Sequence, residues 1–248
     1  MYHTIAWRES IADIVEADID PVADTLMLVQ NSHFVPQFDQ QLLWAYYGAA
    51  GATRARFVAP SFRQVTTPWI RPINIGIVPL DDPNVADYRA NPLRLKALEE
   101  FQLSGSQTTG GAAVVVGIAG ISKGGIVPAP MGDVYTLRGT AATTLVAGAW
   151  TGLTMTWQDT LPAGLYACIG ASAFGATLLA VRFIFEDQWE RPGVLGSSLL
   201  TSAGHPMFMK GGLGVLGRFN ANRFPNVEAL ANAADTAQEI YMDFVRIG

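Results

Sequence analysis

Three histidines, one cysteine and a few adjacent carboxylates are the groups in this chain best suited to acid–base, metal or thiol chemistry. Histidine is the commonest general base and metal ligand. His3, His33 and His205 lie far apart, and no His-x-His pair is present, so the metal site of a cupin-type enzyme has no ligand set here. Each lone histidine reads as a surface or turn residue. Cys168, in the apolar stretch LYACIG, reads as a buried inert thiol, and a single cysteine permits no internal disulfide. The stretch GASAF at 170–174 approaches the nucleophile elbow Gly-x-Ser-x-Gly, but Phe174 replaces the second glycine that the sharp turn needs. GLGVLG at 212–217 matches Gly-x-Gly-x-x-Gly, yet no buried strand precedes it and no amphipathic helix follows. It reads as a bend between strands. Asp81-Asp82, Glu99-Glu100 and Glu186-Asp187 are neighbours whose side chains diverge in an extended chain, so they read as solvated turn or helix charges. No nucleophile, base and oxyanion site converge. Neither catalysis nor a metal or other cofactor is expected.

The elements that would position these residues come in two similar sets. Trp69-Ile70-Arg71-Pro72 returns as Trp189-Glu190-Arg191-Pro192. Upstream, Leu43, Ala45, Gly48 and Ala49 align with Leu165, Ala167, Gly170 and Ala171 at an offset of 122. Gly51-Ala52-Thr53 aligns with Gly175-Ala176-Thr177 at 124, and Arg56-Phe57 with Arg182-Phe183 at 126. Strand-like AAVVVGIAGI (112–121) ends the first set, and EIYMDFVRIG (239–248) ends the second. Each follows a stretch read as a short helix, NPLRLKALEEF (91–101) and NVEALANAA (226–234). A third short helix is expected near residue 10, capped by Ser10 with Ile11, Ile14 and Val15 at helical spacing. SKGGIVPAPMG (122–132) reads as the connection. Short apolar runs rich in Val, Thr and aromatics, broken by Gly, Pro, Asn or Asp about every 8 to 12 residues, are the pattern of antiparallel sandwiches. Leu153, Met155 and Trp157 alternate with Thr154, Thr156 and Gln158 at a strand's period.

The expected fold is therefore all-β: two tandem eight-stranded jelly-roll β-sandwiches with a few short helices. The halves are 1–127, with an acidic N-terminal arm, and 128–248. Trp69 and Trp189 are expected to cover one end of their barrels, with Arg71, Pro72, Arg191 and Pro192 beside them at strand edges or exits. Arg56 and Arg182 precede the repeated phenylalanines, and together with Trp69, Arg71, Pro72, Trp189, Arg191 and Pro192 they are the candidates for structural or intersubunit contacts. The arm, built on Glu9, Asp13, Glu16, Asp18, Asp20 and Asp24, is either a solvated helix face or a reach toward a neighbouring subunit's arginines.

Composition sets the partners. Half the residues are hydrophobic and only 15% are charged, against about 25% in an average soluble domain. Thirteen arginines stand against three lysines, and arginine tolerates protein interfaces better. Such a chain suits a surface covered by other subunits. The net charge of −5 argues against direct nucleic-acid binding, which calls for a basic patch. The N-terminus is unlike a signal peptide, and the longest apolar tract falls far short of the ~20 residues of a membrane helix. A soluble chain made without secretion is expected.

Residues 31–74, 132–185 and 208–248 resemble coat-like proteins encoded in phage and environmental viral sequences. The duplicated β organisation is similar to the double jelly-roll major capsid proteins of tailless icosahedral phages, a lineage shared with adenoviruses. The resemblance implies a homotrimer whose six barrels form a pseudo-hexagonal capsomer, with barrels upright in the shell. It also implies neighbouring capsomers and minor virion proteins such as a penton as partners, and an internal lipid membrane in many such phages. Location would be the virion, after synthesis in the host cytoplasm. Any tower loop would be short and fall at 75–90. The rival reading is a carbohydrate-binding β-sandwich or a receptor-binding virion protein, which calls for a groove of exposed aromatics on one half only.

Overall fold

The computed structural model of the chain describes residues 2–12, 14–49, 52–62, 70–77, 85–107, 111–197 and 211–248, with the backbone alone for 52–54 and 70–77. By their contacts these residues form two compact units. One is Ile5–Gly125; the other is Ile126–Gly248 together with Met1–Thr4. Tyr2, His3 and Thr4 thus pack with the second half of the chain.

The first unit contains β1 (Tyr2–Ile11, shared with the second unit), β2 (Ala17–Ile19), β3 (Leu28–Gln30), β4 (His33–Val35), β5 (Gln40–Ala49) and β6 (Ala52–Val58). It continues with β7 (Ile70–Ile77), β8 (Val85–Asp87), β9 (Leu93–Leu95), β10 (Gln102–Gln107) and β11 (Ala113–Ser122). One sheet runs β1-β11-β5-β8, with β9 pairing further along β5; the other runs β2-β10-β6-β7. With the β3–β4 hairpin set aside as an insertion and β8 and β9 taken as one interrupted strand, the order is first-eighth-third-sixth over second-seventh-fourth-fifth. That order is a jelly roll.

The second unit repeats it with β12 (Val134–Ala141), β13 (Thr151–Leu153), β15 (Leu165–Phe174), β16 (Leu178–Ile184), β17 (Gly193–Ser197), β18 (Gly217–Asn220), β19 (Asn226–Ala231) and β20 (Gln238–Arg246). β12-β20-β15-β18 and β13-β19-β16-β17 reproduce both sheets, and β14 (Thr156–Trp157) adds an outer strand beside β12. β17 pairs antiparallel with β16 and, at Gly196 and Ser197, parallel with β15, which joins the two sheets along one side. The chain is all-β, two jelly rolls in tandem.

The aligned positions of the repeat occupy matching places. Phe57 faces Leu103 and Arg56 faces Ser104 across β6–β10; Phe183 faces Val227 and Arg182 faces Glu228 across β16–β19. Both third strands carry one extra residue against the last strand, Leu43 in β5 and Ile169 in β15.

Each core forms where alternate residues of both sheets point inward. In the first unit Trp7 stands edge-on to Phe34 and Phe101, each 5.1 Å away, with Phe57 at 5.5 Å. In the second, Phe219 is the hub, with Phe244 at 5.0 Å, Tyr166 at 6.0 Å and Phe185 at 6.3 Å. A smaller cluster covers the outside of β15 and β20: Ala167, Ile169 and Val245 pack under Val215 and Ala129. The connection between the units supplies Ala129, and Val215 N–H donates to the Val127 carbonyl to hold it there.

The expected short helices are absent; no helix occurs among the described residues. Residues 93–95 and 226–231 are strands β9 and β19, and the chain near residue 10 is the end of β1. Ala, Leu and Glu in NVEALA suit a helix, but pairing with β13 and β16 on either side overrides that preference. Residues 212–216 form the expected bend into β18, and GASAF lies inside β15. Of the loop expected at 75–90, residues 78–84 lie outside the described residues.

Close packing at the Phe219 hub leaves no room at Gly217, where a Cβ would fall on the Phe185 ring, whereas a Cβ at Gly152 meets nothing within 4 Å. Gly217→Ala should lower stability by about 1–3 kcal/mol in chemical denaturation, while Gly152→Ala leaves it nearly unchanged.

Candidate functional site

Strand alternation sends Phe183 into the core and Arg182 to the opposite face, yet Arg182 is only 1% exposed. Its Nε donates to Glu228 Oε2 at 2.6 Å on the neighbouring strand, and its guanidinium lies 4.2 Å above the Trp150 ring. Arg191 Nη1 donates to both oxygens of the same carboxylate, at 3.0 and 3.2 Å. One half-buried acid therefore serves two cations. The amino-terminal residues lie alongside. Arg191 N–H donates to His3 Nδ1 at 3.0 Å, Thr4 N–H to the Arg191 carbonyl at 3.0 Å, and the Tyr2 hydroxyl to the Gly193 carbonyl at 2.8 Å. Gly193 permits this approach, since a Cβ there would sit 2.8 Å from Thr4 Oγ1.

The first unit uses the matching position differently. Arg56 pairs with Glu16, and Ser104 across from it donates to Asp18 Oδ1 at 3.0 Å. Asp18 Oδ2 meets His33 Nε2 at 3.0 Å, and Glu100 Oε2 lies 3.4 Å from His33 Nδ1. Glu9 accepts the Asp20 N–H, and Asp24 the Leu26 N–H. The acidic arm is no helix face: these carboxylates are engaged within their own unit, and Asp13 lies outside the described residues. His3 and His33 are buried, at 6% and 8% exposed, which corrects their assignment to surface or turn. Each ring is held by polar groups distant in sequence, so no local pattern announced it. His205 lies outside the described residues.

The repeated Trp-x-Arg-Pro sits at the start of matching strands. Arg71 and Pro72 fall in β7, where the register gains a residue between Ile70 and Ile73, the kind of irregularity that admits proline. Arg191 and Pro192 directly precede β17, and the Pro192 carbonyl accepts the Phe183 N–H at 2.8 Å. Trp69 lies outside the described residues. Trp189 is 84% exposed and so does not cover its barrel, a correction to the capping role. The proline falls at a register shift in the first copy and at the strand entrance in the second, and the tryptophan does not supply the core in the second.

A cleft of about 780 Å³ opens where the end of β12, the chain leading into β14 and the start of β20 meet. Thr140, Thr143, Thr154, Thr156, Gln238 and Glu239 line it, with alanines between them and no aromatic ring among the lining residues. Arg138 donates to both Glu239 oxygens, at 2.6 and 3.1 Å, and the Tyr241 hydroxyl donates to the same carboxylate. These bonds hold Glu239 below its ordinary range and push Tyr241 up. Elsewhere burial pushes the Cys168 thiol up, in keeping with an inert side chain. Of the adjacent carboxylates, Glu99 accepts from Ser61 and the Lys96 N–H, and Glu186 pairs with Arg223. Asp81 and Asp82 lie outside the described residues. Among the described residues no group of three or more His, Cys, Asp or Glu side chains is placed to hold a metal ion, and no helix is long and apolar enough to cross a membrane.

No family model and no curated protein matches the chain. Among solved structures the chain is similar to the STIV MCP (major capsid protein), at 9% identity over 99% of this chain and 97% of that one, with a TM-score of 0.26. The jelly-roll assignment rests on strand order, which needs no relative to support it.

Two outcomes test the ion pairs. Glu228→Gln leaves the Arg182 charge buried without its acid, so denaturation should show a loss of about 3–5 kcal/mol, whereas Arg182→Met together with Glu228→Gln recovers much of it. Because Glu239 is held below its ordinary value of 4.5, its contribution is present above that pH and fades as acidification passes through the lowered value. The stability gap between the wild type and Glu239→Gln should therefore close in acid, followed by thermal melting across pH.

Proposed function

We propose that this chain is a major capsid protein of a tailless icosahedral virus, working by self-assembly and not by catalysis. The observation that carries the reading is the internal duplication: one polypeptide builds the same eight-strand jelly roll twice, with matching strand order and matching Arg-Phe positions. Three such chains hold six barrels of one kind, enough to approximate a hexagon with a single gene product. A hexagonal unit tiles a closed shell, so the partners are copies of the chain, neighbouring capsomers and a separate protein at the five-fold positions. An internal lipid layer and residence in the virion belong to the same reading.

Surface composition supports it. Trp189, Met131, Val15, Leu98 and Ile14 are each more than 60% exposed, an unusual set of large apolar side chains to leave in water. Arg56, Arg182 and Arg191 are engaged by acids of their own units, which fixes them in place instead of leaving them as mobile surface charges. Arg71 and the exposed Trp189 are the repeat positions assigned to contacts between chains. The rival, a carbohydrate- or receptor-binding sandwich, calls for an aromatic-lined groove, and the cleft beside β14 has no aromatic lining.

Light scattering and native mass spectrometry of the purified full chain test the proposal. A stable trimer of the 26.6 kDa chain, forming hexagonal particles in electron micrographs at high concentration, is the expected result. A persistent monomer overturns it. Trp189→Ser should reduce trimer or particle yield while leaving the melting temperature of the folded chain unchanged.

A further inference from the structure

We infer that the corner of the first unit carrying Phe38, Lys96, Leu98 and Lys123 is the docking surface for the Trp189 loop of a second copy of this chain. The inference rests on the assembly reading and names two surfaces that meet in it. Leu98 carries the first half. Its φ of 63° is a left-handed backbone conformation that a bulky residue adopts only at a cost, and yet the residue is 70% exposed. The turn that presents it is tied down on several sides. Leu98 N–H donates to the Pro36 carbonyl at 2.7 Å, Ala97 N–H to Asp39 Oδ1 at 3.0 Å, and Lys96 N–H to Glu99 Oε1 at 2.8 Å. Phe38, on the segment to which this turn is bonded, is 43% exposed, and Lys123 Nζ stands 4.3 Å from the centre of its ring. A rigid turn that holds a leucine out in water beside an open phenylalanine is a preformed contact.

Charge selects the partner. Two of the chain's three lysines, Lys96 and Lys123, stand at this corner, both exposed, and among the described residues neither ammonium group forms an ion pair. The acids nearby are engaged: Asp39 by Arg94, Glu99 by Ser61, and Glu100 beside the His33 ring. The corner is therefore apolar with a basic rim. The second unit offers the opposite set. Trp189, the exposed ring of the β16–β17 loop, is flanked in sequence by Asp187 and Glu190. Glu186 is paired with Arg223, and the Arg191 guanidinium with Glu228, so among the described residues Asp187 and Glu190 form no ion pair. An apolar ring between two carboxylates matches an apolar patch between two ammonium groups. The indole packs on Phe38 and Leu98, and the opposite charges fix its orientation. Because the two surfaces differ, the contact between copies is head-to-tail, the kind that closes into a ring when its rotation permits.

The test begins with the unaltered full-length protein. Equal amounts of isotope-labelled and unlabelled chain are assembled together and treated with a carbodiimide, which joins a lysine amine to a carboxylate as an amide while the reagent takes up the water lost and leaves as a urea. Peptide mass spectrometry should find Lys96 or Lys123 joined to Asp187 or Glu190, with labelled and unlabelled partners mixed, as only a link between chains allows. Charge reversal is the second arm, followed by analytical ultracentrifugation. Lys96→Glu with Lys123→Glu should weaken association at least tenfold, as should Asp187→Lys with Glu190→Lys, and the chain carrying all four changes should recover to within about threefold of the wild type. Links found only within one chain, association untouched by either reversal, or a fourfold variant no better than the two double variants overturns the inference. If a reversed variant fails to fold, the cross-links of the unaltered protein still decide. A stable oligomer without these links sinks this contact alone, whereas a wild type that stays monomeric sinks the assembly reading with it.

Discussion

Everything in this chain depends on the last strand of each half reaching back to lie between the first and the third. β11 sits between β1 and β5, and β20 between β12 and β15. Until that strand is in place, its two neighbours have unpaired main-chain groups toward the centre of a sheet, and the core lacks one wall. The cost is evident in β20, where Ile240, Met242 and Phe244 are all fully buried on the inner face. Loop closure over a whole domain must come before these contacts form, so folding is expected to be slow and highly cooperative. The second sheet follows, because the connections between strands leave it only one place to pack.

The repeat was legible because it is written in residues that cannot move. Arg-Phe marks the fourth strand of each unit, and Arg-Pro marks the start of the fifth. Phe57 and Phe183 must point inward, and a proline at the edge of a ladder must fall at an irregularity or an entrance. Strand number and class followed from the spacing of Gly and Pro. The short helices were misread because three- to six-residue strands such as β9 and β19 are too short to establish a period of two against Ala, Leu and Glu, whose local preference is helical. What decides those segments is the strand on either side, and that information lies far away in sequence.

The candidate sites were less visible for the same reason. His3 and Arg191 are 188 positions apart, and Arg182 and Glu228 are 46 apart, so no motif joins them. Arg182 and Arg191 could be singled out by the duplication, but their common acid Glu228 has no counterpart charge at Ser104 in the first unit. Duplication preserved the scaffold and let the outer faces diverge. One unit uses a carboxylate–imidazole–hydroxyl network on that face, the other a pair of guanidiniums around a single acid. The cleft was missed altogether, since threonine and alanine carry no signal until β12, β14 and β20 bring them together.

Assigning Tyr2, His3 and Thr4 to the later half of the chain has a consequence for biosynthesis. A ribosome delivers these residues long before their partners near Gly193, so this segment must wait while the whole intervening jelly roll is made before it finds its seat. The jelly roll built from Ile5 to Gly125 can close as soon as its own final strand has emerged, whereas Tyr2, His3 and Thr4 stay accessible to chaperones and peptidases until the strand beginning at Gly193 has been made. Nascent chains stalled just after Gly125 should therefore carry one completed barrel with Tyr2, His3 and Thr4 still undocked.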